Sequence, residues 1–217
     1  MKPPSAPPPS WEEALLARLR EARERLDRER AAAPGLCAEL LAPSPDNPPD
    51  ARTERVATDS RFRTWGVCEE LLRRSITLEE TEADAGAAAH LASLALAAAR
   101  GLDEQHEASL VRDLEARAWA SLGTARLRSG DLAGAEEALR EGARRLADGT
   151  GDLLVEAQQM ELEAAVREAR GALRDAAGLL RQAEARYQEI GETTLAARAG
   201  SARERLLRVL DPDLKPD

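Results

Sequence analysis

Aromatic side chains are nearly absent from this chain: 2% of its 217 residues are Phe, Trp or Tyr, namely Trp11, Phe62, Trp65, Trp119 and Tyr187. β-Branched residues are sparse too, so a sheet core, which draws on aromatics, Val and Ile, is excluded as the main architecture. Histidine and cysteine occur twice each; no two of them stand at zinc-ligand spacing, and two cysteines are too few for a disulfide framework. Cys37 and Cys68 are therefore read as small buried hydrophobes. Apolar runs are short. The longest, Leu91 to Ala99, is Ala-rich, is interrupted by Ser93 and falls well below the ~20 residues that span a bilayer. Basic charge is in deficit, the net being -9, which opposes sequence-independent attraction to nucleic acid or to an anionic membrane. The N-terminus runs from Met1-Lys2 into prolines without an apolar segment, and the expectation is a cytoplasmic protein.

What is present is alanine, leucine, arginine and glutamate, all strong helix formers. A core of Ala and Leu lets helices pack closely, and the class is all-α. Residues 1–10 hold five prolines and are expected to be a disordered leader. Ser10 and Glu13 form a capping box opening a charged helix over about 11–33. Along it Leu15, Leu19, Ala22 and Leu26 recur at 4-3-4 spacing. That stripe suits a coiled-coil or partner-docking arm, and equally a helix folded back as a cap. Pro34-Gly35 is expected to end this helix, a short helical piece follows at 36–42, and residues 43–50 form a Pro-rich linker closing an arm of residues 11–50.

From 51 to 210 the sequence reads as one helical domain with a tail at 211–217. Breaks fall at Asp59-Ser60, Glu82-Asp84, Gly101-Asp103, Gly130-Asp131, Gly149-Asp152, Gly171 and Gly191-Glu192. Several join a glycine that ends one helix to an acid that caps the next.

The most informative stretch is Trp119-x-x-Leu122-Gly123-x-x-Arg126, then Gly130-Asp131-Leu132-x-x-Ala135-x-x-x-Leu139. It resembles a tetratricopeptide repeat, with Arg126 in place of the usual Tyr and Leu139 in place of Phe. Gly123 and Ala135 are small where the two helices of a hairpin must approach, and Trp119, Leu122 and Leu139 fill the surrounding space. A weaker copy sets Met160, Ala164, Gly171, Leu173, Ala176 and Leu180 on the same landmarks, 41 residues on against ~34 for the standard repeat. A third lies upstream, where Leu91, Ala92, Leu94, Ala95 and Ala99 resemble a second helix. It follows a long first helix carrying Phe62, Trp65, Cys68, Leu71 and Leu72. Residues 193–210 resemble a lone first helix. The Pro-rich entry and Arg61 to Gly66 are also similar to the helical portion of uncharacterised bacterial proteins in which such arrays sit beside signalling or regulatory modules.

This resemblance implies a short right-handed superhelical solenoid of antiparallel helix pairs, with the first helix of each pair facing a groove. The family's ligand-facing positions correspond to Arg117, Ala120, Thr124, Leu127 and Arg128, then to Gln158, Glu161, Ala165 and Glu168. The last helix adds Arg198, Arg203, Arg205 and Arg208 against Glu204. The partner-binding residues expected are Arg117, Thr124, Leu127, Arg128, Gln158, Glu161, Arg198 and Arg205. Ala120 and Thr124 depart from the clamp that binds C-terminal carboxylates. The function implied is a non-enzymatic adaptor for a protein or peptide. The alternative is a regulatory subunit of a signalling or transcription system that uses the N-terminal helix as its contact arm. Two copies can pair through that arm, which leaves the oligomeric state open.

Enzymatic signatures are missing. His90 sits among alanines, and His106 follows Asp103 and Glu104 at a helix start, with no second histidine or cysteine at ligand spacing. Gly149-Thr150-Gly151-Asp152 lacks the length and lysine of a phosphate loop. Glu79, Glu80, Glu82 and Asp84 lack the calcium-loop pattern and are read as a solvated helix start. No catalytic, cofactor or metal residue is expected.

Overall fold

The computed structural model describes residues 11–45, 47–81, 84–102 and 106–211, the side chain of Glu80 excepted. The proposed leader with Ser10 of its capping box, Glu82, Asp103 and the tail beyond Asp211 lie outside the described residues. Within them the regular structure is helical: α1 (Trp11–Leu41), α2 (Pro49–Thr58), a 3-10 turn (Ser60–Phe62), α3 (Trp65–Glu80) and α4 (Ala85–Arg100). Then come α5 (Ala108–Arg128), α6 (Leu132–Ala147), α7 (Leu153–Ala169), α8 (Leu173–Glu189) and α9 (Thr193–Leu210).

Local chemistry accounts for most of these boundaries. The carboxylates of Asp84, Asp131 and Asp152 accept from the amides of Ala87, Gly134 and Leu154, and Thr64 Oγ1 accepts from Val67, so four helices start on a side-chain cap. Three helices end alike. Gly130, Gly171 and Gly191 have φ of 85°, 77° and 79°, the left-handed conformation that glycine adopts without a Cβ clash. In each case the amide after the glycine donates back five residues: Asp131 to Arg126 O at 2.9 Å, Ala172 to Arg167 O at 2.9 Å and Glu192 to Tyr187 O at 2.8 Å. The glycine amide donates back three, completing a Schellman closure. Phe62 belongs to the 3-10 turn rather than to the long first helix expected, because Asp59 accepts from the Arg61 amide there and Thr64 starts α3 afresh.

The arrest expected at Pro34-Gly35 does not occur: α1 runs unbroken through Pro34 to Leu41. Proline inside a helix forfeits one backbone bond and costs about 3 kcal/mol, but contacts on both sides of it hold the helix in register. Before it, Glu29 Oε2 accepts from the Trp65 amide at 2.8 Å, and Arg30 grips Glu69 through two bonds of 2.7 and 2.9 Å. After it, Ala33, Cys37 and Leu40 are buried in the main core, and Asn47 Nδ2 caps the end by donating to Leu40 O at 2.8 Å and Ala42 O at 3.2 Å.

Helices α3 and α4, α5 and α6, and α7 and α8 pack as pairs, and each second helix also packs on the first helix of the next pair. The first helices thereby form one row, α1, α3, α5, α7, continued by α9 through ion pairs from Arg198 to Glu161 and from Arg205 to Glu168. A core of Ala, Leu, Val, Phe and Trp runs from Ala33 to Ala138, and smaller clusters join α7, α8 and α9. Both cysteines are buried and unpaired, and burial pushes the Cys37 thiol up to about 11. Polar staples cross between pairs. Gln159 Nε2 donates to Ala116 O at 2.8 Å, and Asp113 accepts from the amide and hydroxyl of Thr150 at 3.1 and 2.5 Å.

Gly66 sits where α3 meets α1, and a Cβ there would overlap the Glu29 carbonyl and approach Arg30 N to 2.7 Å. Backbone cannot give as a side-chain tip can. Gly66→Ala is expected to lower stability by about 3 kcal/mol. Gly35→Ala, at a helical position with nothing within 4 Å of the new methyl, should raise it by about 0.5–1 kcal/mol. Urea unfolding of the two variants beside the parent checks the opposite signs.

Candidate functional site

A groove of about 450 Å³ opens on the row of first helices. Its lining comes from α3 (Leu72, Ile76, Glu79), α5 (Arg117, Ala120, Ser121, Thr124), α7 (Gln158, Glu161, Ala165) and α9 (Leu195, Arg198). Second helices contribute nothing to it. The floor is apolar, from Leu72, Ile76, Ala120, Ala165 and Leu195, and the polar groups stand around it.

Several of these polar groups are anchored by side-chain bonds. Glu161 on α7 accepts from Tyr187 Oη at 2.5 Å and from Arg198 Nη2 at 2.9 Å, which ties α7, α8 and α9 together at the groove wall. Burial, with Glu161 beside it, keeps the Tyr187 phenol protonated far above its ordinary range. Thr124 returns its hydroxyl to Ala120 O at 3.0 Å. Arg117 forms no hydrogen bond or ion pair with the described residues, although it projects a half-buried guanidinium into the groove.

Glu79 is placed differently from its expected role in a solvated helix start. It occupies the last turn of α3, half-buried, and faces the groove. Its Oε1 accepts from Ser121 Oγ at 2.8 Å and Ser75 Oγ at 3.2 Å, and the two hydroxyls lie 2.9 Å apart. Burial raises this carboxyl above the usual range, and the two hydroxyls with the nearby Arg128 and Arg198 only partly offset it. The sequence did carry a trace of this: Leu72, Ile76 and Glu79 share one helix face at 4-3 spacing, so an acid continues an apolar row.

No protein-family model matches the chain, and no curated protein or solved structure matches it either.

Five of the eight expected partner-binding residues, Arg117, Thr124, Gln158, Glu161 and Arg198, meet in this one groove. The other three lie elsewhere. Leu127 packs against the cluster of Ala135, Leu162 and Val166. Arg128 donates to the Glu79 carbonyl at the end of α3, clasping two first helices. Arg205 pairs with Glu168 at 2.7 Å. Leu72, Ile76, Glu79, Ser121 and Leu195 were not expected at the site.

Neither histidine lines the groove. Among the described residues no three His, Cys, Asp or Glu side chains gather as ligands. His106 stacks on Trp65 with ring centroids 5.6 Å apart, and its Nε2 lies 3.8 Å from Glu29. His90 is half-buried on α4, and burial lowers its pKa. No described helix is long and apolar enough to cross a membrane.

The raised carboxyl of Glu79 makes stability depend on pH in a definite sense. Below the unfolded chain's value, near 4.5, both states are neutral there. As pH rises through the window up to the elevated folded value, the unfolded chain ionises first and the folded state loses ground. Glu79→Gln keeps an acceptor for both serines and removes this loss. Thermal melts should show the variant more stable than the parent at about pH 7, with the difference closing near pH 4.

Proposed function

We propose that this chain is a tetratricopeptide-like adaptor whose groove holds a segment of a partner protein or peptide. Three features support the repeat reading: the matching Gly130 and Gly171 closures, the contact of Gly123 with Ala138 and Leu162, and a groove made from first helices alone. The observation that carries the binding reading is the open apolar floor flanked by the unpaired Arg117. An apolar surface with few convergent polar groups is what a ligand site offers, and a guanidinium with no direct hydrogen bond beside it, its nearby acid Glu69 already engaged by Arg30 and Trp65, favours an acidic group on the ligand. Rim ion pairs such as Arg198 to Glu161 shape the walls and contribute little affinity. The ligand this describes is a helical or extended peptide segment, with apolar side chains on the floor and a carboxylate toward Arg117.

Peptides selected from a random displayed library against the whole chain test the reading. They are expected to carry an acid next to apolar residues. Arg117→Glu should weaken them at least tenfold, about 1.4 kcal/mol, and Ala165→Trp, which fills the floor, should abolish binding. Arg140→Glu on the exposed face of α6 should change nothing. Selected peptides that bind the Ala165→Trp variant as well as the parent would place recognition outside the groove.

A further inference from the structure

The first half of α1 presents an apolar face that no described element covers. Trp11, Leu15, Leu16 and Leu19 are 74%, 49%, 50% and 57% exposed, and Ala22 is exposed as well. At 100° per residue, Trp11, Leu15, Leu19, Ala22 and Leu26 fall on the same side of the helix as Ala33, Cys37 and Leu40, which the core buries completely or nearly so. One stripe thus runs the length of α1. Its C-terminal part is covered by α3, whose first turn meets α1 where Gly66 faces Glu29 and Arg30. Arg25 and Leu26 are half-buried, so cover reaches back to them. Residues 11–24 therefore extend the stripe by about 21 Å past the start of α3.

We infer that this overhang pairs antiparallel with the same segment of a second copy of the chain. Sterics choose the direction. A parallel partner lying along the stripe would continue alongside residues 29–41, where α3 already sits. An antiparallel partner ends its α1 near Leu26 and carries its own body beyond Trp11 of the first copy. Each α1 then takes the place that α3 vacates. The residues match in that register: Trp11 faces Leu26, Leu15 faces Ala22, large against small, and the two Leu19 side chains meet at the two-fold axis.

Charge agrees. Residues 11–15 carry Glu12 and Glu13 and no base, whereas residues 16–28 carry five arginines against three acids. Antiparallel pairing sets the acidic end of each helix beside the basic stretch of the other and opposes the two helix dipoles; parallel pairing would align like with like. The interface is short, at the small end of the range for specific contacts, so association is expected at micromolar concentration.

Sedimentation of the full chain from about 1 to about 200 µM should show a monomer passing to a dimer. Leu15→Glu with Leu19→Glu replaces two exposed side chains, so helicity and melting temperature should stay near those of the parent while dimer affinity falls at least about 100-fold. Orientation is read by cross-linking: a mixture of Leu15→Cys and Ala22→Cys chains should form mixed disulfides faster than either chain links to itself. A monomer at the highest concentration, a dimer indifferent to the double variant, or preferential self-linking of Leu15→Cys would each overturn the inference. So would a monomer whose overhang instead binds vesicles of anionic lipid in a manner lost in the double variant.

Discussion

Close approach of helix backbones is the constraint on which this molecule rests. With so few aromatics, the interior cannot be filled by large rings spanning wide gaps, and the buried positions of α4 are alanine or leucine without exception. Volume is instead removed by bringing helices together, and each contact then needs a small residue at its nearest point. Gly66 meets the backbone of α1, Gly123 meets Ala138 and Leu162, and Gly142 lies under the Gln159 amide. Dispersion over many short contacts replaces the burial of a few large side chains, and the cost is intolerance of a single added methyl where the neighbour is backbone.

Such packing leaves the first helices side by side with their outward faces forming a continuous surface, and the groove is a consequence of that alignment. Its walls are held by bonds that span helices distant in sequence: Ser75 with Ser121, Tyr187 and Arg198 with Glu161, Arg128 with the end of α3. These bonds consume most of the polar capacity around the floor. Arg117 and Gln158 take no part in them, and the Arg117 guanidinium is the charged group left for a ligand.

Much of this was legible in the residues. Cap-and-glycine punctuation is a local effect of four to six residues, so the starts of α4, α6 and α7 and the ends of α5, α7 and α8 could be placed in advance. Five of the residues named from the resemblance line the groove, since a helical period carries a face along with it whatever the family. Leu127 and Arg128 fell off that face, turning toward the second helix and toward α3, because they occupy the last turn of α5, where the neighbouring chain ends and side chains find other partners. Pro34 misled for the opposite reason: its local preference is real, and distant contacts at Trp65, Glu69 and Asn47 override it.

The sequence by itself determined the helical class, the positions of the turns and the apolar stripe along α1, because propensity, capping and periodicity act within a few turns of chain. Only the tertiary structure decided which portion of that stripe is covered, that Glu79 sits desolvated beside two serines, and that Arg117 makes no hydrogen bond or ion pair with the described residues, the nearby Glu69 carboxylate being already held by Arg30 and Trp65. Each of these depends on which helix lies opposite, and that is set by the summed packing of the whole row rather than by any segment of it.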